Sequence, residues 1–274
     1  MSTIPLEDNF NDVLAKALHG LKVSPEAAAS RAGVDAPGLK RLLDGEFDEP
    51  TARKVAPVLQ LGEEQLVMLG QQAYSPDVTP PDGLLGFNTP YADFFVNAYL
   101  VWDPGSKQAV VFDTGTDGEA IVRAASERGL TISLILVTHT HQDHIMCLES
   151  LRQQTGAPAF VSPDEPTPCA EGLPTGRFFQ LGGLSIKALP TSGHSKGGTS
   201  YYVTGLSRPL VVVGDALFAA SMGRGNVSYQ DALENNRREI FSLPDETIIC
   251  PGHGPLTTVA LEKQHNPFYP EFAH

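Results

Sequence analysis

Basic residues are few in this chain. Lysine and arginine number 19 against 32 aspartates and glutamates, a formal net charge of −13. Phosphate backbones and anionic bilayers are bound by basic surfaces, so this balance excludes broad nucleic-acid or membrane binding. Cysteine is also scarce. Cys147, Cys169 and Cys250 are odd in number, far apart and form no CxxC pair. That excludes a disulfide framework and points to a reducing compartment. No apolar run is long enough to span a bilayer, and the first ten residues are acidic without the apolar stretch of a signal peptide. The expected location is therefore the cytoplasm. What is plentiful is glycine and proline, 26 and 22 residues, which suits a turn-rich enzyme better than a helical bundle.

The pattern changes near Tyr74. Before it, Phe10, Val13, Leu14, Ala17, Leu18 and Leu21 recur at helical spacing. Ser24-Pro25-Glu26 is a helix start with Ser as cap, Gly33 is a stop, and Asp35 can cap a further helix carrying Leu39, Leu42 and Leu43. Glu49 to Leu61 and Gly62 to Leu69 complete a bundle of about five short helices. Residues 1–74 are read as this helical domain, 75–84 as a Pro-rich linker, and 85–274 as a second domain. In the second, strands at 96–102 and 109–112 flank Asp103-Pro104-Gly105-Ser106, a hairpin signal. A helix is expected over 118–128, others near 148–154 and over 229–241. Further strands are expected near 159, 178 and 184, and over 200–203, 210–213 and 247–250. This order predicts α/β architecture, sheets covered by helices.

The densest chemistry is Thr138-His139-Thr140-His141-Gln142-Asp143-His144. It follows the apolar run 134–137, a buried strand by pattern, so three imidazoles and a carboxylate are aimed from one strand end. Neutral imidazole and carboxylate are ligands for zinc, iron or manganese. Burying four such groups together is costly unless an ion absorbs their lone pairs and charge. Three further candidates follow strand-like runs or sit in Gly-rich turns: His194 in Ser192-Gly193-His194, Asp215 after Val213-Gly214, and His253 in Pro251-Gly252-His253-Gly254. Alone, His194 or His253 reads as an ordinary loop histidine. Beside the cluster, the metal reading dominates.

This set resembles the metallo-β-lactamase superfamily over about residues 85–268. Its HxHxDH motif is matched by His139, His141, Asp143 and His144, and its later ligands by His194, Asp215 and His253. Asn97 to Val101 and Val111-Phe112-Asp113-Thr114-Gly115 are similar to the family's opening strands. The resemblance implies an αββα sandwich with metals at one edge. It implies that His139, His141 and His194 hold one ion, that Asp143, His144 and His253 hold a second, and that Asp215 bridges them. Two divalent ions, zinc first with iron or manganese as alternatives, would lower the pKa of a shared water. Asp143 is assigned the further catalytic task of orienting that water or carrying its proton.

Gly214-Asp215-Ala216-Leu217-Phe218 and Pro251 to Thr258 look most like glyoxalase II-type hydrolases, implying a thioester or related acyl ester as substrate. Two departures stand out. Ile145-Met146-Cys147 replaces the small residues usual after DH, and residues 254–274 are not expected to supply the glutathione-binding helical domain of glyoxalase II. Lys196 is a candidate for a substrate carboxylate, and Tyr91, with Phe94 and Phe95, for the site mouth. Alternatives on the same residues are a mononuclear iron persulfide dioxygenase and a lactonase.

Residues 24–45 resemble the helix-turn-helix of phage repressors. The second helix of a DNA reader needs long polar side chains at its start. Here that start is Ala36-Pro37-Gly38, and 1–74 holds 7 basic against 11 acidic residues. The expectation is a domain that dimerises the chain or covers the site, with a DNA-binding regulator as the non-enzyme rival.

Overall fold

The computed structural model describes residues 4–173 and 177–273. Its first part is five helices: α1 (Phe10–Leu21), α2 (Pro25–Ala32), α3 (Ala36–Leu43), α4 (Glu49–Val58) and α5 (Glu63–Gly70). Their starts follow from the caps. Ser24, Asp35 and Asp48 each accept the backbone N–H three residues on, and Asn9 and Asp12 cap each other reciprocally.

The chain then forms β1 (Leu84–Tyr91), β2 (Phe94–Trp102), β3 (Gln108–Phe112), α6 (Gly118–Glu127), β4 (Thr131–Leu136), α7 (Gln142–Ile145), α8 (Leu148–Thr155), β5 (Ala159–Val161) and β6 (Glu171–Gly172). After these come β7 (Phe178–Leu181), β8 (Leu184–Pro190), β9 (Thr199–Thr204), β10 (Leu210–Gly214), α9 (Tyr229–Asn235), β11 (Ile248–Pro251), β12 (Thr257–Thr258) and α10 (Val259–His265). Two six-stranded sheets result, ordered β1-β2-β3-β4-β5-β6 and β12-β11-β10-β9-β8-β7.

Strand alternation explains the layers. From β3 and β10, Val110, Phe112, Leu210 and Val212 point inward and share one buried core with Tyr99, Leu136, Ile186 and Tyr201. Ala109 and Val111 point outward, against Ile121 of α6 and Leu148 and Leu151 of α8. On the other sheet, Val211 and Val213 also point outward, and there the N-terminal helices enter. Phe10, Leu14, Leu42, Val55 and Leu66 join Leu217, Phe241, Phe268 and Tyr269 in a single buried cluster with them. The helical region therefore shares a core with the second sheet.

Two differences from the sequence pattern have physical causes. β1 carries Asn88, Thr89 and Pro90 and alternates poorly, because as an edge strand it pairs only with β2. The helix expected over 229–241 is α-helical only to Asn235 and continues as a π-helical turn, Asn236–Ile240. At that widening the buried Asn236 donates to Ala216 O and Tyr269 Oη, both at 2.7 Å, tying the helix to the loop that carries Asp215. No described helix is long and apolar enough to cross a membrane.

Candidate metal centre

Five strands deliver the site. β3 and β4 run parallel in one sheet, β8, β10 and β11 run the same way in the other, and the loops after all five meet at one edge. Asp113 follows β3, His139 to His144 follow β4, His194 follows β8, Asp215 follows β10 and His253 follows β11. The carboxyl ends of strands are where such sheets present side chains to ligands. The two sheets approach closely here. Gly214 lies at φ 50°, and a Cβ on it would collide with Thr138 Oγ1, so only glycine ends β10 in this position.

The structure brings all seven sequence candidates together. His139, His141, His194 and Asp215 form one group of converging ligand atoms, and Asp143, His144 and His253 a second. In the first, His139 Nε2 lies 3.0 Å from His141 Nδ1, and His194 Nε2 lies 3.1 Å from it. In the second, Asp143 Oδ2 is 3.5 Å from His144 Nε2 and 3.4 Å from His253 Nε2. Asp215 faces both: Oδ2 is 3.4 Å from His194 Nε2, while Oδ1 is 3.3 Å from His144 Nε2 and 3.4 Å from His253 Nε2. Ligand atoms on a tetrahedral ion at about 2.0–2.1 Å stand about 3.3 Å apart, so these spacings fit a shared ion in each group.

Two further observations support that fit. His144 Nε2 and Asp215 Oδ1 are buried without a hydrogen-bond partner, an arrangement a protein avoids unless something else satisfies them. The room between them depends on Gly252, where a Cβ would overlap Asp215 Oδ1 and lie 2.7 Å from His144 Cε1.

The far nitrogens of the rings are held, which fixes which nitrogen faces the centre. His253 Nδ1 donates to Phe95 O at 2.6 Å, and His194 Nδ1 to Arg224 O at 2.9 Å. His144 Nδ1 donates to Asp113 Oδ2 at 2.8 Å; the same oxygen accepts from Thr138 Oγ1, which lies 3.0 Å from His139 Nδ1. Asp113 Oδ1 accepts from Thr138 N at 2.7 Å. One buried carboxylate thus orients a histidine in each group. Asn97 fixes the His253 turn: its Nδ2 donates to Pro251 O and Gly254 O.

Asp113 is a site residue that motif spacing did not single out as functional. Its signal was an acid directly after a buried apolar strand, parallel to the strand before the histidines. Glu165 gave no such signal. It lies in a turn far along the chain, yet its carboxylate accepts from Thr140 N at 2.7 Å and Gly197 N at 2.8 Å, clamping two ligand loops together. Burial and these donors act oppositely on it, and the net effect lowers its pKa.

Charges in the cluster are strongly coupled. Burial works against protonation of His139 and of the less buried His194, lowering both. Burial opposes charge on His144 and His253 too, but Asp113 and Asp215 raise His144, and Asp215 raises His253 to about 9. Burial alone would raise Asp215, yet His253 and His144 hold it well below the usual carboxylate range.

The rim candidates fare differently. The Tyr91 ring lies 5.4 Å from that of Phe94, which lies 5.4 Å from His253, so Tyr91 reaches the centre only through Phe94. Phe95 and Met146 are half exposed. Lys196 is exposed, two residues past His194, and nothing in the structure places its ammonium against the centre. The His265 ring lies tilted against that of Tyr74, centroids 4.7 Å apart, and belongs to neither ligand group.

Fold and site together define an α/β sandwich that binds divalent metal ions. The metallo-beta-lactamase superfamily model matches residues 91–253, and the chain belongs to that superfamily. A probable metallo-hydrolase of Streptococcus pyogenes is 35% identical over 199 residues, covering 62% of this chain and 84% of the relative. Hydroxyacylglutathione hydrolase GloC of Haemophilus influenzae is 27% identical over 204 residues, covering 65% of this chain and 95% of the relative. A crystal structure in a di-iron-bound form superposes with a TM-score of 0.55 at 28% identity, covering 66% of this chain and 99% of that one. Helices α1–α5 precede the matched span.

Proposed function

We propose that this chain is a hydrolase of thioesters or related acyl esters that works with two divalent ions, zinc foremost and iron or manganese as alternatives. The observation that carries the reading is Asp215, which turns one carboxylate oxygen to each of two histidine-bearing groups. His139, His141 and His194 would hold one ion, Asp143, His144 and His253 the other, with Asp215 between. When bound, such ions lower the pKa of water and polarise an acyl carbonyl. The protein's own part is orientation and proton handling. Asp143 turns Oδ2 to the His144 and His253 nitrogens, which leaves Oδ1 to take a proton from the attacking water and return it to the leaving group. Phe94 walls the His253 side, with Tyr91 behind it as a substrate contact.

The likeness to the hydroxyacylglutathione hydrolase of Haemophilus influenzae supports the thioester class. The completeness of the second group favours two ions over the single iron of a persulfide dioxygenase. We assign the helical region a wall-forming role rather than a DNA-reading one, since it shares its core with the second sheet. A homodimer is our working assembly. The test is hydrolysis of a thioester, lactone and phosphodiester panel by metal-loaded and chelator-stripped protein. Thioester turnover that is lost on stripping and regained on metal addition supports the proposal. Turnover by metal-free protein, or oxygen uptake with glutathione persulfide and no hydrolysis, overturns it.

A further inference from the structure

The N-terminal segment ahead of α1 packs on the turn that carries ligand His253. A Cβ on Gly254, the residue after ligand His253, would lie 3.1 Å from Glu7 N and 3.5 Å from Glu7 Cβ. Residues 5–7 therefore lie directly on the His253 turn. The next residue anchors them: buried Asp8 pairs with Lys16 of α1 and accepts from Ser221 Oγ at 2.6 Å. Lys16 also donates to Met222 O at 2.8 Å and stands 5.0 Å over the ring of Phe218, which packs edge-on against His253. The ammonium of Lys16 is thereby committed to Asp8, a carbonyl and a ring face.

Glu7 has no such partner. Its half-buried carboxyl forms no ion pair or side-chain hydrogen bond among the described residues; burial raises its pKa, and the charge of His253 works against that rise. The three charges Glu7, Asp8 and Lys16 sum to one unbalanced negative charge beside the turn that carries His253. The same side carries the aromatic surfaces of Phe94 and the half-exposed Phe95. A carboxylate attracts a cationic group and repels an anionic one, and an aromatic face adds to the first preference.

We propose that Glu7, supplied by the segment preceding the helical region, sets the charge preference of the site, favouring ligands whose arm near His253 is cationic and disfavouring those whose arm is anionic. Glu7 is a specificity-determining residue in this assignment and takes no part in the chemistry. The inference rests on the proposed thioester reading, because it concerns the group attached to a sulfur presented to the metals.

Three thiols of similar size test it without requiring turnover: thiocholine, 3,3-dimethylbutane-1-thiol and 2-mercaptoethanesulfonate. A thiolate is itself a ligand for such metals. Dissociation constants are measured by calorimetry on the metal-loaded full chain, with the neutral thiol as each protein's own reference. Wild type binds thiocholine more tightly than the sulfonate. In Glu7→Gln that ratio falls about tenfold, the scale of one charge acting across several ångströms of partly screened protein. In Glu7→Lys the preference inverts, which loosening of the segment alone would not produce. Acetyl thioesters of the same thiols then report kcat/KM, where the same ranking is expected. An unchanged cation-to-anion ratio in both variants overturns the assignment. Loss of all thioester turnover with the thiol ranking intact overturns the hydrolase reading and leaves the assignment standing.

Discussion

Asp113→Asn isolates the buried carboxylate behind the centre. Asp113 accepts three hydrogen bonds, from Thr138 N at 2.7 Å, Thr138 Oγ1 at 2.8 Å and His144 Nδ1 at 2.8 Å. It is 2% exposed, so no water replaces a lost partner. The substitution keeps the shape, and asparagine tolerates the left-handed φ of 53° that Asp113 adopts. What changes is charge and one acceptor. If the amide oxygen faces His144 and Thr138 Oγ1, the amide NH2 faces the backbone N–H of Thr138, donor against donor. A buried donor left unmatched and a charge-assisted bond weakened together cost about 2–3 kcal/mol of stability. His144 loses the partner that fixes its ring, and loss of such outer support lowers metal affinity about 10–100-fold. The loss should fall mainly on the group containing His144. The assay is a competitive titration of stripped protein against a chromophoric chelator, with thermal melts alongside. A variant that takes up its second equivalent with wild-type affinity would refute the claim that Asp113 orients the site.

Other perturbations separate the parts of the account. Gly252→Ala removes no ligand but fills the space between Asp215 and His144, so ion uptake should fall from two equivalents to one in elemental analysis. Leu14→Ala opens a cavity in the core shared by the helices and the second sheet. It should cost about 3 kcal/mol and lower one common transition in calorimetry; a separate early transition of the helical part alone would contradict the shared core. Glu262, fully buried, is pushed up to about 7 from 4.5 by burial, although Thr257, Asn266, Ala220 and Tyr74 donate to it. The folded state then holds a proton that the unfolded state releases, so stability is fully present below pH 4.5 and falls as pH rises through 7. The loss is about 3 kcal/mol, measured as the pH slope of the melting midpoint, and it should vanish in Glu262→Gln.

How much of this was legible beforehand depended on whether a residue's role was local. The HxHxDH run was legible because strand and loop follow one another in sequence. His194, Asp215 and His253 were legible because each follows an apolar run or a glycine turn. Helix starts at Ser24 and Asp35 were legible for the same local reason. Asp113 and Glu165 act across the fold, through backbone and side-chain groups distant in sequence. An acid after an apolar strand is the one local mark of Asp113, and Glu165 has none. β1 was missed because an edge strand buries too little to alternate. Glu7 was hidden more deeply still, since its place beside Gly254 depends on how the N-terminal segment crosses a turn about 250 residues away.

In the proposed site two ions share Asp215. Elemental analysis of metal-reconstituted wild type and Asp215→Asn, paired with thioester turnover, tests it most directly. Two equivalents in the wild type, falling to one or fewer in the variant with loss of turnover, is the predicted result. One equivalent in the fully active wild type would contradict it.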